Sequence, residues 1–267
     1  MAYAAEVLAD SPSGYWRFEE GNPPFKDETA GNRNGTVRGS SLGSLTWREP
    51  GIANSKGLWF NNAIDNGGPY VGIAAGALNS PTSWTYELWF QPKNALSSGD
   101  TAVLLGVGGA GGTGETSRIG WFGFGGDAWI SAFSPSGVNA STRSSVLEQT
   151  GKIKNKWYHV VAVFTTPATA IGIDVYINGA LDNFQQTNMG TSGHPVPGSG
   201  EEIGLNVRGP APGDAFAGYL DEVAVYPVAL SAGRIAAHYN AAVADDTFAG
   251  NSHGGKRGKR ALQTVGL

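Results

Sequence analysis

The chain has 267 residues, 40% of them apolar and 15% charged, which is enough apolar side chain to bury a sizeable core and too much for a disordered chain. Glycine occurs 41 times and cysteine not at all, so turns are frequent and disulfides, thiolate nucleophiles and cysteine zinc sites are excluded. The net charge of −4 hides an asymmetry: all 22 acidic residues but only 14 of the 18 basic ones precede Thr247, giving a body of −8 that argues against nucleic acid as a partner.

No apolar run approaches the roughly 18 to 20 residues of a membrane span, so no membrane partner is expected. The opening residues carry Glu6 and Asp10 with no basic residue before Arg17, unlike a secretory signal. In chain order, strands are predicted at 14–18, 57–60 and 70–73, and then at 84–91, where Trp84, Tyr86, Leu88 and Phe90 alternate with Thr85, Glu87, Trp89 and Gln91. Further strands are predicted at 102–107, 119–124, 129–133 and 157–164, with a flexible glycine-rich loop over 106–114. The strand at 171–177 runs into Asn178-Gly179, a hairpin signal because both turn positions need φ > 0, and returns at Leu181. Strands at 202–205 and 216–226 follow. The one convincing helix covers 231–242, with Ser231 as its N-cap and Ile235 and Tyr239 on one face. The domain is therefore expected over residues 1–243, with a polar, basic tail at 244–267. About a dozen strands without helical crossovers predict an all-β, antiparallel two-sheet sandwich with a short C-terminal helix.

Several segments resemble the laminin-G-like, concanavalin A-like jelly rolls. They are Tyr15-Trp16-Arg17-Phe18 followed by Asp27, Gly31-Asn32 and Asn34-Gly35; Trp84-Thr-Tyr-Glu-Leu-Trp-Phe90; Trp157-Tyr-His-Val160 with Val175-Tyr-Ile-Asn-Gly179; and Phe216 to Ser231, leading to His238-Tyr239. The first twenty residues also resemble the openings of minor tail and other virion proteins of bacteriophages that infect actinobacteria. That resemblance implies a virion component assembled in the host cytoplasm, tail-borne or decorating the particle, with other virion proteins or copies of itself as partners. A chain without cysteine is compatible with such a reducing compartment.

The superfamily includes glucanases, which place paired acids on one strand. A glycosidase needs two carboxyl groups across one cleft, whereas Asp221-Glu222 and Glu201-Glu202 are adjacent in sequence and expected on opposite faces, and Glu87 has no acidic neighbour in its strand. No catalytic residue is assigned; a hydrolase using Glu87 or Glu222 and a free-standing bacterial carbohydrate-binding or adhesion module are the rival readings. His159, His194, His238 and His253 show no ligand spacing to acids, and His159 reads as a structural residue at the sheet surface.

The resemblance implies one structural calcium ion where the early turn meets the closing strand. Asp27, Asn32, Asn34 and Asp221 occupy those positions, with Glu19 as a further oxygen donor. The alternative is that Asp27 and the asparagines cap a turn and Asp221 accepts backbone hydrogen bonds. Host-surface glycans are the expected ligand, held by stacking on Trp121, Phe122, Phe124 and Trp129 beside the glycine loop and on Trp47 in an irregular stretch, with loops 106–118 and 187–200 as carriers. The tail residues Lys256, Arg257, Lys259 and Arg260 either dock on an acidic neighbour or form a solvated end.

Overall fold

The computed structural model describes residues 2–38, 45–53, 55–61, 69–73, 76–93, 101–108, 117–124, 127–134, 140–145, 148–149, 156–166, 171–187, 202–205 and 216–252. A helix α1 (Ala2–Ala9) precedes strands β1 (Gly14–Trp16), β2 (Gly35–Arg38), β3 (Leu45–Pro50), β4 (Lys56–Phe60) and β5 (Tyr70–Ile73). Next come β6 (Ser83–Pro92), β7 (Thr101–Gly108), β8 (Ser117–Phe124), β9 (Asp127–Ser134), β10 (Ala140–Arg143) and β11 (Glu148–Gln149). The chain continues through β12 (Tyr158–Thr165), β13 (Gly172–Ile177), β14 (Ala180–Leu181), β15 (Gln185–Thr187), β16 (Glu202–Leu205), β17 (Gly218–Tyr226) and α2 (Ala232–Ser252).

All the pairings are antiparallel and form two sheets. The first is ordered β14-β13-β12-β6-β17-β4-β3, with β1 also on β17; the second is ordered β15-β10-β9-β8-β7-β16-β5-β2, with β11 also on β9. This is the expected jelly-roll sandwich. The alternation in β6 has a direct structural meaning: Trp84, Tyr86, Leu88 and Phe90 enter the core between the sheets, while Glu87 and Trp89 point the other way into a second core. That second core lies between the first sheet and the helices and holds Tyr3, Val7, Tyr15, Trp89, Tyr226, Ile235 and Ala242. No described helix is long and apolar enough to cross a membrane.

Most strands fall where alternation places them; β2, β10, β11 and β15, short and largely polar, were not anticipated, nor was β3, whose alternation is confined to Leu45 and Trp47. Helix α1 was not anticipated either. Eight residues are too few for a helix to persist alone, so α1 depends on burial of Tyr3 and Val7 and on the Arg234 guanidinium, which bonds Glu6 Oε2 at 2.8 Å and Asp10 Oδ2 at 2.8 Å. Asp10 just beyond the helix C-terminus opposes the helix dipole, and Arg234 offsets it. The C-terminal helix runs to Ser252, ten residues past the expected end at 242 and through the 243/244 boundary where the tail was expected to begin. Lys256, Arg257, Lys259 and Arg260, like most of the 106–114 and 187–200 loops, lie outside the described residues.

The Asn178-Gly179 hairpin is present: Asn178 (φ 52°) and Gly179 (φ 81°) link Ile177 to its register partner Ala180. A Cβ on Gly179 would lie 2.9 Å from the Tyr239 Cβ of α2, so glycine is needed for both backbone sign and contact with the helix. Gly179→Val should therefore lower stability by at least about 2 kcal/mol in urea titrations, whereas an unchanged midpoint would show that the hairpin tip does not seat α2.

Candidate functional site

The outer face of the second sheet carries the aromatic side chains best placed to meet a ligand. On β8 the outward residues are Arg118, Gly120 and Phe122; their register partners on β9 are Phe133, Ser131 and Trp129. The neighbouring β10 adds Ser141 opposite Phe133 and Arg143 opposite Ser131, and β15 adds Gln185 opposite Arg143. Phe122, Trp129, Phe133, Arg118 and Arg143 are half-buried, while Phe184 beside β15 is 63% exposed. The arginines lie over the rings. Arg118 sits 4.6 Å from the Phe133 centroid, and Arg143 sits 4.5 Å from Trp129 and 5.4 Å from Phe184. The result is a surface of flat rings and stacked guanidinium groups held on strands.

The two sheet-face residues expected at the site, Phe122 and Trp129, are brought together here as cross-strand partners. Trp121 is not. It is 1% exposed and packs in the inter-sheet core 5.5 Å from Phe90, because adjacent residues of a strand face opposite ways and Ile119 and Trp121 share the inward phase. Phe124 ends β8 opposite Asp127. Trp47 lies within β3 instead of an irregular stretch; it packs against the core and donates its indole N–H to the Gly21 carbonyl at 2.6 Å. Arg118, Phe133, Arg143 and Phe184 were missed. For Arg118 the signal was available, since it shares the outward phase of Phe122; for Arg143 it was not, because Ala-Ser-Thr-Arg does not read as a strand. Another half-buried aromatic row, Trp59, Tyr219 and Trp157, with Lys93 over Trp59 at 4.6 Å, lies on the outer face of the first sheet beside α2.

Glu87, the acid considered for a hydrolase, is fully buried beneath the helices. Its Oε1 accepts from Tyr3 Oη at 2.9 Å and lies 2.8 Å from His159 Nε2, and its Oε2 accepts from Tyr226 Oη at 2.7 Å and from His238 Nδ1 at 3.0 Å. Two histidines thus converge on one carboxylate, contrary to the reading that the histidines stand apart from acids; the contacts join strands β6 and β12 to α2 and are invisible to local spacing. His159 is buried, not at the sheet surface. Burial would raise Glu87, but His238 and His159 outweigh it and hold the carboxyl far below the ordinary carboxylate range. Burial would lower His238, but the charge and hydrogen bond of Glu87, with Asp10 2.9 Å from Nε2, raise it above 6.5. His194 and His253 lie outside the described residues.

Asp221 and Glu222 do not point to opposite faces. The register shifts between Asp221 and Ala224, and Glu222 adopts φ 49°, so a bulge turns both acids to the helix-covered side while Leu220 and Val223 enter the inter-sheet core. Both are buried. Glu222 accepts from Tyr15 Oη and from Arg17 Nη2 at 3.0 Å, and its own N–H donates to Asp221 Oδ1 at 2.8 Å. Asp221 Oδ2 accepts from Ile52 N–H at 2.9 Å and from Ser55 Oγ, and burial with the Glu222 charge beside it raises the Asp221 carboxyl well above its usual range.

The residues proposed for calcium are arranged as a hydrogen-bonded turn. Asp27 Oδ1 accepts from Tyr15 N–H at 3.1 Å, Thr29 N–H at 2.9 Å and Thr29 Oγ1 at 2.8 Å; its Oδ2 accepts from Arg33 N–H at 3.0 Å. Asn34 Oδ1 accepts the Asp27 N–H at 3.0 Å, Asn32 is exposed at φ 51°, and Glu19 pairs with Arg17 at 3.2 Å. Donors from Tyr15, Thr29 and Arg33 on Asp27, with Asn34 closing on the Asp27 N–H, are the arrangement of a capped turn. Among the described residues, no group of three or more His, Asp or Glu side chains is arranged to hold a metal ion.

The matching family model, that of the concanavalin A-like lectin/glucanases superfamily, covers residues 65–236, and the chain belongs to this superfamily. Among solved structures the chain is similar to domain 4 of an extracellular arabinanase from Geobacillus stearothermophilus, solved in complex with arabinotriose (20% identity, TM-score 0.57, 85% of this chain and 98% of that one). It is also similar to the binding domain of botulinum neurotoxin serotype D solved with N-acetylneuraminic acid (16%, 0.60, 90% and 52%) and to the binding domain of a paraclostridial mosquitocidal protein (15%, 0.62, 87% and 52%). The chain thus spans about half of those two toxin domains, and at these identities the likeness is one of fold. No curated protein sequence matches the chain.

The Glu87 cluster makes stability depend on pH from both sides. The raised His238 contributes fully below 6.5 and its contribution fades as pH climbs through the raised value; the depressed Glu87 contributes fully above 4.5 and its contribution fades on acidification. Urea midpoints should therefore peak between these values, and His238→Gln should flatten the alkaline side; a wild-type profile without slope there would refute the assignment. If the Asp27 turn is held by hydrogen bonds alone, a chelator should leave the melting temperature unchanged, and a rise of several degrees on adding calcium would show a bound ion.

Proposed function

We propose that this protein is a non-catalytic glycan-binding component of a bacteriophage particle, tail-borne or decorating, that reads host-surface sugars with the outer face of its second sheet. The observation that carries the reading is the cluster of Trp129, Arg143 and Phe184. Rings offered flat on a rigid sheet stack against the apolar faces of sugars, while guanidinium, serine and glutamine groups alongside supply hydrogen bonds to hydroxyls. Two solved structures of similar fold hold arabinotriose and N-acetylneuraminic acid, which supports sugar as the ligand class. The burial of Glu87, Asp221 and Glu222 supports a binding role over a hydrolytic one, because none of these acids faces a polysaccharide at the surface.

The particle assignment rests on the resemblance of the first twenty residues to phage virion proteins. In this reading the basic residues 256–260 dock on an acidic neighbour, another virion protein or the −8 body of a second copy.

On a glycan array the full chain should bind a defined subset of sugars. Trp129→Ala should weaken that binding roughly tenfold or more, whereas Trp59→Ala, on the opposite sheet, should leave it unchanged. Binding that follows Trp59 would move the site to the first sheet, and no binding to any glycan would remove the reading. Immunogold labelling of intact particles of the encoding phage should mark the protein on the virion; unlabelled particles would leave a free-standing carbohydrate-binding module.

A further inference from the structure

We infer that the outer face of the second sheet takes an acidic glycan, one carrying a carboxylate or sulfate, and that Arg143 is the residue that holds its charge. This rests on the glycan reading above and adds the class of ligand. The Arg143 guanidinium lies over the Trp129 ring and close to that of Phe184. Contact with two rings restricts the guanidinium and so pre-organises its N–H groups for the paired oxygens of an oxyanion. Its Nε is buried and has no hydrogen-bond partner among the described residues. A buried N–H without an acceptor is unfavourable, and among the described residues no carboxylate or carbonyl of the chain takes it up.

The surroundings favour an anion. Arg118, stacked on Phe133 one register pair along the same face, adds a second guanidinium, and the cross-strand partners of Arg143, Ser131 and Gln185, are neutral. Asp182, the acid beyond this end of β10, is engaged by the N–H of Ser145 at 2.9 Å and its hydroxyl at 2.7 Å. A pair of stacked arginines on a body of net charge −8 is a local feature, not a reflection of overall basicity.

The test uses the full chain on an array holding acidic glycans (sialylated, uronate-containing and sulfated) beside their neutral counterparts. Binding should be confined to the acidic members, should weaken as salt is raised, and should fall roughly tenfold or more in Arg143→Gln, with the melting temperature of the variant confirming that it folds. Arg143→Lys should recover only part of the loss, since an ammonium keeps the charge but not the planar fork. Neutral glycans bound as well as their acidic counterparts, or acidic binding untouched by Arg143→Gln in a folded protein, would overturn this inference while leaving the glycan reading in place; an array with no bound sugar would remove both.

Discussion

A single buried carboxylate organises one side of the molecule. Glu87 sits in the middle of β6, the central strand of the first sheet, on the face opposite the inter-sheet core, and a charge there would be strongly unfavourable without partners. Its partners come from four other places in the chain: Tyr3 in α1, His159 in β12, Tyr226 in β17 and His238 in α2. The network therefore converts a local desolvation problem into a long-range constraint, because Tyr3 and His238 add their bonds to the two oxygens only when both helices dock. Removing the sole partner of a buried charge costs about 3–5 kcal/mol, and Glu87 spreads that dependence over four partners.

That constraint assigns roles to the two sheets. With α1 and α2 laid over part of the first sheet, Glu87, Asp221 and Glu222 are buried beneath or beside them and engaged in hydrogen-bond networks. The half-exposed aromatic and cationic residues of the second sheet are backed by a core of Ile119, Trp121, Ile130 and Ala132 on its inner face. Recognition groups on strands lose less freedom on binding than groups on mobile loops, so a surface of this kind is pre-organised.

How much of this the sequence disclosed follows from the range of each signal. Alternation in 84–91 and the Asn178-Gly179 turn are local, and both elements fell where they were expected. Alternation also held the correction for Trp121 and Phe122: as neighbours on one strand they had to face opposite ways, and only the surrounding pattern of Ile119 and Arg118 decided which one was inside. The Glu87 cluster was beyond local reading because its members lie up to 151 residues from Glu87 along the chain. The Asp221-Glu222 pair was misread because strict alternation holds only for an unbroken ladder, and a bulge is set by the fit of β17 against β6, β4 and β1 together. Helix α1 was missed for a related reason: its stability comes from tertiary contacts to α2, not from its own eight residues.

The charge pattern adds a last consequence for selectivity. A body of −8 repels anions at long range, yet ionic screening confines that repulsion to about 8 Å at physiological salt, so under the proposal an acidic polymer that approaches the second sheet responds to the local field around Arg143 more than to the net charge. The stacked geometry then favours ligands that combine an oxyanion with an apolar ring face, and disfavours simple ions, which gain nothing from Trp129 and Phe184. General acidity elsewhere on the molecule works in the same direction by discouraging nonspecific adsorption to other polyanions. In the proposed binding mode specificity arises from a contrast between a repelling whole and an attracting patch, which neither the overall charge nor the fold alone would provide.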